Sequence, residues 1–248
     1  MWQNHKGEAL SVSSTAVHLW RAQLAGSDAE LLNCQGLLST DEINRATRFI
    51  KSEDRVRYIF YRACLRKILS FYVQIVPEKI TFSTGEKGKP FLAGSDLQFN
   101  VSHSGDYLLI GVTRGQAIGV DIENVKPNKD FLALAKRFFA DSEYQEIKKY
   151  PTREQIAAFY RCWTRKEAFI KAIGLGLSFP LSDFEVDVSE IPSDRSCLLH
   201  VRDKKFAATD WMVRSILLDD LKSAYFAAFA MPQTEAHVFY WNFSCDMC

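Results

Sequence analysis

Four short runs of this 248-residue sequence carry side chains that could do chemistry together. In Ile118-Gly119-Val120-Asp121-Ile122-Glu123, apolar residues alternate with acids. Read as a strand, Ile118, Val120 and Ile122 face a core, while Gly119, Asp121 and Glu123 share the opposite face. Two carboxylates spaced this way can hold a hard divalent cation through oxygen. The same D-x-E also suits a solvent-facing strand end. Trp163, Glu167 and Lys171 are four apart and lie along one face of a helix. There an acid and an ammonium can bind a metal and neutralise phosphate oxygens at neighbouring points. They can equally form an ordinary i,i+4 pair contributing about 0.3–0.5 kcal/mol. Phe99-Asn100-Val101-Ser102-His103-Ser104 offers hydroxyl and imidazole groups to a phosphate, or turn chemistry before Gly105. Gly88-Lys89-Pro90 is a basic loop, but not a Walker A loop, and no G-x-S-x-G elbow is present.

The elements that must position these groups read as follows. Ala16 to Leu24 alternates as a strand. Ser39 and Glu42 have capping-box spacing, so a helix starts near Ser39. A second helix starts near Ser52, keeps apolar residues at helical spacing through Tyr72, and stops at Pro77. After the GEKGKP loop, three strands near Phe99–Ser102, Tyr107–Thr113 and Ala117–Glu123 are joined by short turns, which predicts an antiparallel meander. Helices are expected over Lys129–Phe139, Ser142–Lys149 and Arg153–Ile173, the last ended by Gly174 and Gly176. Strands follow at Phe184–Val188, Leu198–Arg202, Trp211–Leu217 and Tyr225–Ala230. Helices then strands therefore occur twice, which suggests two α+β halves. We place them at residues 1–118 and 119–248, with the candidate site at the seam.

Composition narrows the class. Hydrophobic residues make up 47% and charged residues 25%, with 18 Phe, as in a globular chain with an aromatic core. A net charge of +1 argues against a protein built to coat nucleic acid. The charge is uneven: Arg45, Arg48, Lys51, Arg55, Arg57, Arg62, Arg66 and Lys67 face only Glu53 and Asp54 over that stretch. Such a patch suits a polyanionic small molecule, or it is a solvated helix face. Met1 to Ser14 has no apolar core of a leader, and no apolar run approaches the roughly 20 residues of a membrane helix. Dispersed Cys34, Cys64, Cys162 and Cys197 fit reduced thiols in cytoplasm. Cys245 and Cys248 form a terminal C-x-x-C, which would need two further ligands to hold zinc and reads as an incidental tail.

In order and spacing, GKPFL, FNVSHS, IGVDIE and FYRCWTRKEAFIKAIGLGL resemble the phosphopantetheinyl transferase family, and within it the monomeric, surfactin-synthetase-activating type. VHLWRAQL, LSTDEINRATRF and DRVRYIFYRACLRKIL extend the likeness over most of residues 16 to 190. The resemblance implies an α+β fold of two similar halves related by a pseudo-twofold axis, each a small antiparallel sheet packed with helices. It implies transfer of 4′-phosphopantetheine from coenzyme A to a serine of an acyl or peptidyl carrier protein. By matched motif, Asp121, Glu123 and Glu167 look like ligands of Mg²⁺, for which Mn²⁺ could substitute. Lys171 looks like the lysine near the pyrophosphate, and Glu167 and Lys171 the catalytic pair. Arg45, Arg57, Lys89, Pro90, Ser102 and His103 look like further coenzyme A contacts. Glu42 stands where some members of the family have lysine. The rival reading is a non-catalytic module that binds coenzyme A or another nucleotide. The three acids argue against it, because carboxylates beside phosphates repel them without a metal.

Overall fold

The computed structural model describes the chain apart from residues 86, 127–129, 193, 219, 222–224 and 233–235 and the side chain of residue 177. The first half opens with β1 (Gln3–Asn4) and the alternating strand β2 (Ala16–Gln23). Helices α1 (Asp28–Gly36) and α2 (Thr40–Ala46) each begin with a capping box, Ser27 with Glu30 and Ser39 with Glu42. Helix α3 (Ser52–Val73) buries Ile59, Phe60, Ala63, Ile68, Leu69 and Tyr72, the face expected from their spacing. It stops before the expected Pro77. Gln74 turns left-handed (φ 54°) and its N–H bonds back to the Ser70 carbonyl, which closes the helix end. Pro77 opens a single 3₁₀ turn instead. β3 (Ser83–Thr84) and β4 (Pro90–Phe91) pair across the glycine-rich loop. β5 (Leu97–Ser104) and β6 (Tyr107–Arg114) form an antiparallel hairpin turned by Gly105-Asp106.

The second half comprises β7 (Gly119–Asn124), α4 (Phe131–Phe138), α5 (Asp141–Lys149), α6 (Thr152–Ile173), β8 (Phe184–Val186), β9 (Leu198–Val201), β10 (Trp211–Ile216) and β11 (Tyr225–Pro232). Gly174 ends α6 in the left-handed region, as its position predicts. A last strand, β12 (His237–Phe243), returns to the first half. It runs parallel between β1 and β2. The tail after Pro232, to which the sequence assigned no part, therefore belongs to the first sheet, and a boundary at residue 119 leaves β12 on the wrong side. It also makes that sheet mixed rather than purely antiparallel.

The expected three-strand meander is not formed. β6 pairs with β2 on its second edge, giving the order β1-β12-β2-β6-β5, while β7 pairs with β11 in a separate sheet, β10-β11-β7. Short turns favoured the meander, but β7 has two faces to bury. Its Val120 and Ile122 pack with Val17, Leu19, Leu109 and Phe229 between the two sheets. The other sides of the sheets are covered by the two 22-residue helices. Trp20, Leu108 and Ile110 meet Ile59 and Phe60 of α3. Ala228, Ala230 and Val213 meet Ala168, Phe169 and Ala172 of α6. Each half is thus a sheet under one long helix, and the sheets lie back to back. Among the described residues no helix is long and apolar enough to cross a membrane.

Candidate functional site

The seam is stitched by side chains rather than by a backbone ladder. Asn100, Ser102 and Ser104 alternate along β5 and so face β7 together. Asn100 Oδ1 accepts the Val120 N–H at 2.9 Å, and Ser104 Oγ accepts the Asn124 N–H at 3.1 Å. Ser102 Oγ donates to Asp121 Oδ1 at 2.9 Å, and Ser104 Oγ donates to Glu123 Oε2 at 2.9 Å. The two acids are therefore oriented by hydroxyls from the other half. The N-x-S-x-S alternation was visible in the sequence, but its target was not.

Asp121, Glu123, Glu167 and Lys171 line one cavity of about 510 Å³, with Ser102, His103, Trp163 and Phe138 among its walls. The acids, over forty residues apart in the chain, do converge. Lys171 does not make the i,i+4 pair with Glu167 that its spacing allows. It reaches across the seam to Asp121 Oδ1 at 2.7 Å, Ser102 Oγ at 3.0 Å and the Val120 carbonyl at 3.2 Å. Burial raises the pKa of Asp121 against the pull of Lys171. Burial, reinforced by the Asp121 charge, raises Glu167 to about 7, with Lys171 opposing. The second Asp121 oxygen, Oδ2, is buried and has no hydrogen-bond partner. An orphaned carboxylate oxygen, two further acids and one ammonium leave a site short of positive charge. That donor set fits a hard cation. Among the described residues no three or more acids, His or Cys are grouped closely enough to hold a metal ion by themselves, so an ion here would need water or substrate oxygens as further ligands.

A larger cavity of about 1090 Å³ adjoins this one, and His103 and Glu123 line both. Its walls include Arg45, Arg57, Arg62, Lys126, Tyr58, Tyr61 and Phe82. Arg45 lies over the Tyr58 ring, and His103 packs on Tyr61. Burial, with Lys171 nearby, lowers the pKa of His103 against the pull of Glu123. Arg57 shares its charge with Asp106 at 3.0 Å. Tyr58 and Tyr61 escaped the sequence reading; their signal was an aromatic pair three apart, interleaved with arginines on α3.

Three expectations change. His103 borders both cavities, whereas Ser102 bonds to Asp121 and does not line the larger one. Pro90 and Gly88 line that cavity, but the Lys89 ammonium turns into the seam, donating to the carbonyls of Ile118 at 2.9 Å and Lys171 at 3.0 Å. Burial lowers its pKa to about 8. Lys89 thus satisfies a carbonyl in the last turn of α6 from the other half. Lys89→Met is expected to cost about 1–3 kcal/mol in urea unfolding by orphaning these carbonyls, while affecting nucleotide affinity less than Arg45→Ala. Glu42, where lysine was the alternative, is buried; it pairs with Arg62, and with Arg66 at 2.7 Å, and caps α2. Two of the eight basic residues therefore share one internal carboxylate. Phe139 is buried in the second core and Phe138 lines the acid cavity. The loop from Pro127 lies outside the described residues up to Lys129.

Comparison with known proteins identifies this arrangement. A family model for the 4′-phosphopantetheinyl transferase superfamily matches residues 117–230, and one for the N-terminal part of 4′-phosphopantetheinyl transferases matches residues 22–114. The 4′-phosphopantetheinyl transferase HetI of Nostoc sp. is 35% identical over 215 residues, covering 85% of this chain and 86% of the relative. The chain belongs to the 4′-phosphopantetheinyl transferase superfamily. Sfp of Bacillus subtilis is 39% identical over 60% of this chain and 66% of its own length. The L-aminoadipate-semialdehyde dehydrogenase-phosphopantetheinyl transferase of Xenopus laevis is 32% identical over 78% and 69%. As a phosphopantetheinyl transferase, the protein must hold an anionic donor while a nucleophile approaches. At the seam lie two adjoining cavities, one lined by arginines and one by acids.

Proposed function

We propose that the enzyme moves 4′-phosphopantetheine from coenzyme A to a serine of an apo acyl or peptidyl carrier protein, with Mg²⁺ at Asp121, Glu123 and Glu167. The observation behind this reading is the continuity of the two cavities through His103 and Glu123. The nucleotide end would lie by Arg45, Arg57, Pro90 and His103, and the pyrophosphate would reach the acids. When bound, the ion neutralises charge on the pyrophosphate oxygens. Glu167 accepts the serine proton, directly or through an intervening water. The hydroxyl oxygen attacks the β-phosphorus, and adenosine 3′,5′-bisphosphate leaves. Lys171, held by Asp121 and Ser102, stabilises the departing phosphate. Trp163 and Phe138 form the apolar wall of the acid cavity and limit water there.

We infer a cytoplasmic monomer with no role for nucleic acid or membrane, in keeping with the net charge of +1. The test is an incubation with coenzyme A, Mg²⁺ and several apo carrier proteins. The carrier should gain about 340 Da, the phosphopantetheine increment of the group transfer. Asp121→Ala should abolish the gain. Coenzyme A binding without a gain on any carrier would favour the non-catalytic module, and unchanged metal dependence in Asp121→Ala would remove Asp121 as a ligand.

A further inference from the structure

The terminal C-x-x-C does not stand alone in the fold. Strand β12 carries the tail back onto the first sheet, and Phe243 and Cys245 enter the core beneath α3. There Cys245 Sγ lies 3.4 Å from Cys64 Sγ of α3 and 3.3 Å from the Gln23 carbonyl at the end of β2. Helix α1, which ends beside Cys34, packs against the same terminal turn. Cys34, Cys64 and Cys245 are buried, and Cys248 is half-exposed. Four thiols from three separate segments thus share one place, and the remaining two, Cys162 and Cys197, lie buried in the second half.

Position gives these thiols different chemistry. The neighbouring Cys34 and Cys64 thiols hold the half-exposed Cys248 below the usual thiol pKa, which favours its thiolate form. Hydrogen bonding to neighbouring cysteines, with burial, raises Cys34 and Cys64. A reactive, reachable thiolate beside a closely spaced buried pair is the layout of a thiol–disulfide relay. The close contact is pairwise, and among the described residues no three of these groups enclose a metal.

We propose that this cluster is a disulfide-forming site that fastens the C-terminal strand to α3 through Cys64–Cys245, with Cys248 as the entry thiol. The oxidant is a small disulfide such as oxidised glutathione. Cys248 thiolate attacks it, forming a mixed disulfide and releasing one glutathione thiolate, which takes a proton. Cys64, losing its proton, attacks the Cys248 sulfur and releases the second glutathione. Cys245 then attacks the Cys64 sulfur and returns Cys248 to the thiolate. In the sum, Cys64 and Cys245 lose two protons and two electrons, and one small disulfide becomes two thiols. The bond closes a loop between residues 181 positions apart, so it removes freedom mainly from the unfolded chain.

The full-length reduced enzyme, incubated with oxidised glutathione, should lose two of its six thiols when titrated after unfolding. Proteolysis without reductant should yield a Cys64–Cys245 cross-linked peptide. Oxidation should raise the midpoint of thermal unfolding by roughly 5 °C. Cys248→Ser should form the same bond about tenfold more slowly, since its entry thiolate is gone. Cys245→Ala, or Cys64→Ala should the first variant fold poorly, should show neither the peptide nor the thermal shift. A product that stops at glutathione on Cys248, an end product joining Cys34 to Cys248, or thiols shielded by a stoichiometric zinc ion would each overturn the proposal.

Discussion

Glu167→Gln is expected to lower turnover by about 10²–10⁴-fold, the usual contribution of a positioned general base, while coenzyme A affinity stays within about threefold. The same substitution should stabilise the metal-free protein. Glu167 sits on α6 facing Asp121, and burial together with that charge raises its pKa from 4.5 to about 7. Between these values the folded protein keeps a proton that the unfolded chain has already lost. Stability contributed by the protonated form is therefore present at low pH and falls as pH rises from about 4.5 to about 7. With discount for its partial exposure, the loss is on the order of 2 kcal/mol. Glutamine has nothing to ionise, so thermal unfolding of the variant should vary less with pH over that window and exceed wild type at pH 8. Mg²⁺ should raise the wild-type midpoint more at pH 8 than at pH 5.5, because it binds the ionised acids. A variant that loses turnover without this flattening would place the defect elsewhere than in the charge of Glu167. Near-normal turnover would remove the base role.

The chemistry was more legible in the sequence than the connections that enforce it. Alternation assigned Val120 and Ile122 to a core and Asp121 to the opposite face, and the helical interval aligned Trp163, Glu167 and Lys171; these hold because local periodicity governs which way a side chain leaves the backbone. What failed depended on distant partners. β7 left the meander because its second face had α6 to meet and β2 already occupied the edge of β6. Lys171 chose Asp121 over Glu167 because a buried carboxylate on the facing strand gains more from a cation than an acid at the cavity wall does. Lys89 was read as a coenzyme A contact, yet its ammonium donates to two carbonyls of the seam. The tail looked inert because β12 finds its place beside β2, over two hundred residues earlier. Four thiols meet only once that pairing is made.

Gly119→Ala should damage both halves of this design at once. A Cβ at position 119 would lie 2.0 Å from the Ala168 carbonyl oxygen, 2.4 Å from the Ala172 nitrogen and 2.9 Å from the Lys171 carbonyl carbon. All three atoms are backbone of α6, so no rotamer change can clear them. The helix must retreat from β7, and that separation carries Glu167 and Lys171 away from Asp121. The expected cost is about 3 kcal/mol or more, as for overpacking at a site that cannot relax. Turnover of the fraction that remains folded should fall as well, since a displacement on the order of 1 Å at the reacting groups can cost about a hundredfold. Gly111→Ala separates this effect from mere crowding between the sheets. Its Cβ would meet Val120 Cγ1 at 2.7 Å and Ile118 Cγ1 at 2.9 Å, both side-chain atoms that can yield. It should therefore destabilise less and leave turnover per folded molecule nearly intact. Chemical denaturation paired with the carrier-modification assay on both variants measures the difference. Equal turnover per folded molecule in the two would mean that the close approach of α6 to Gly119 serves packing alone and does not set the geometry of the acids.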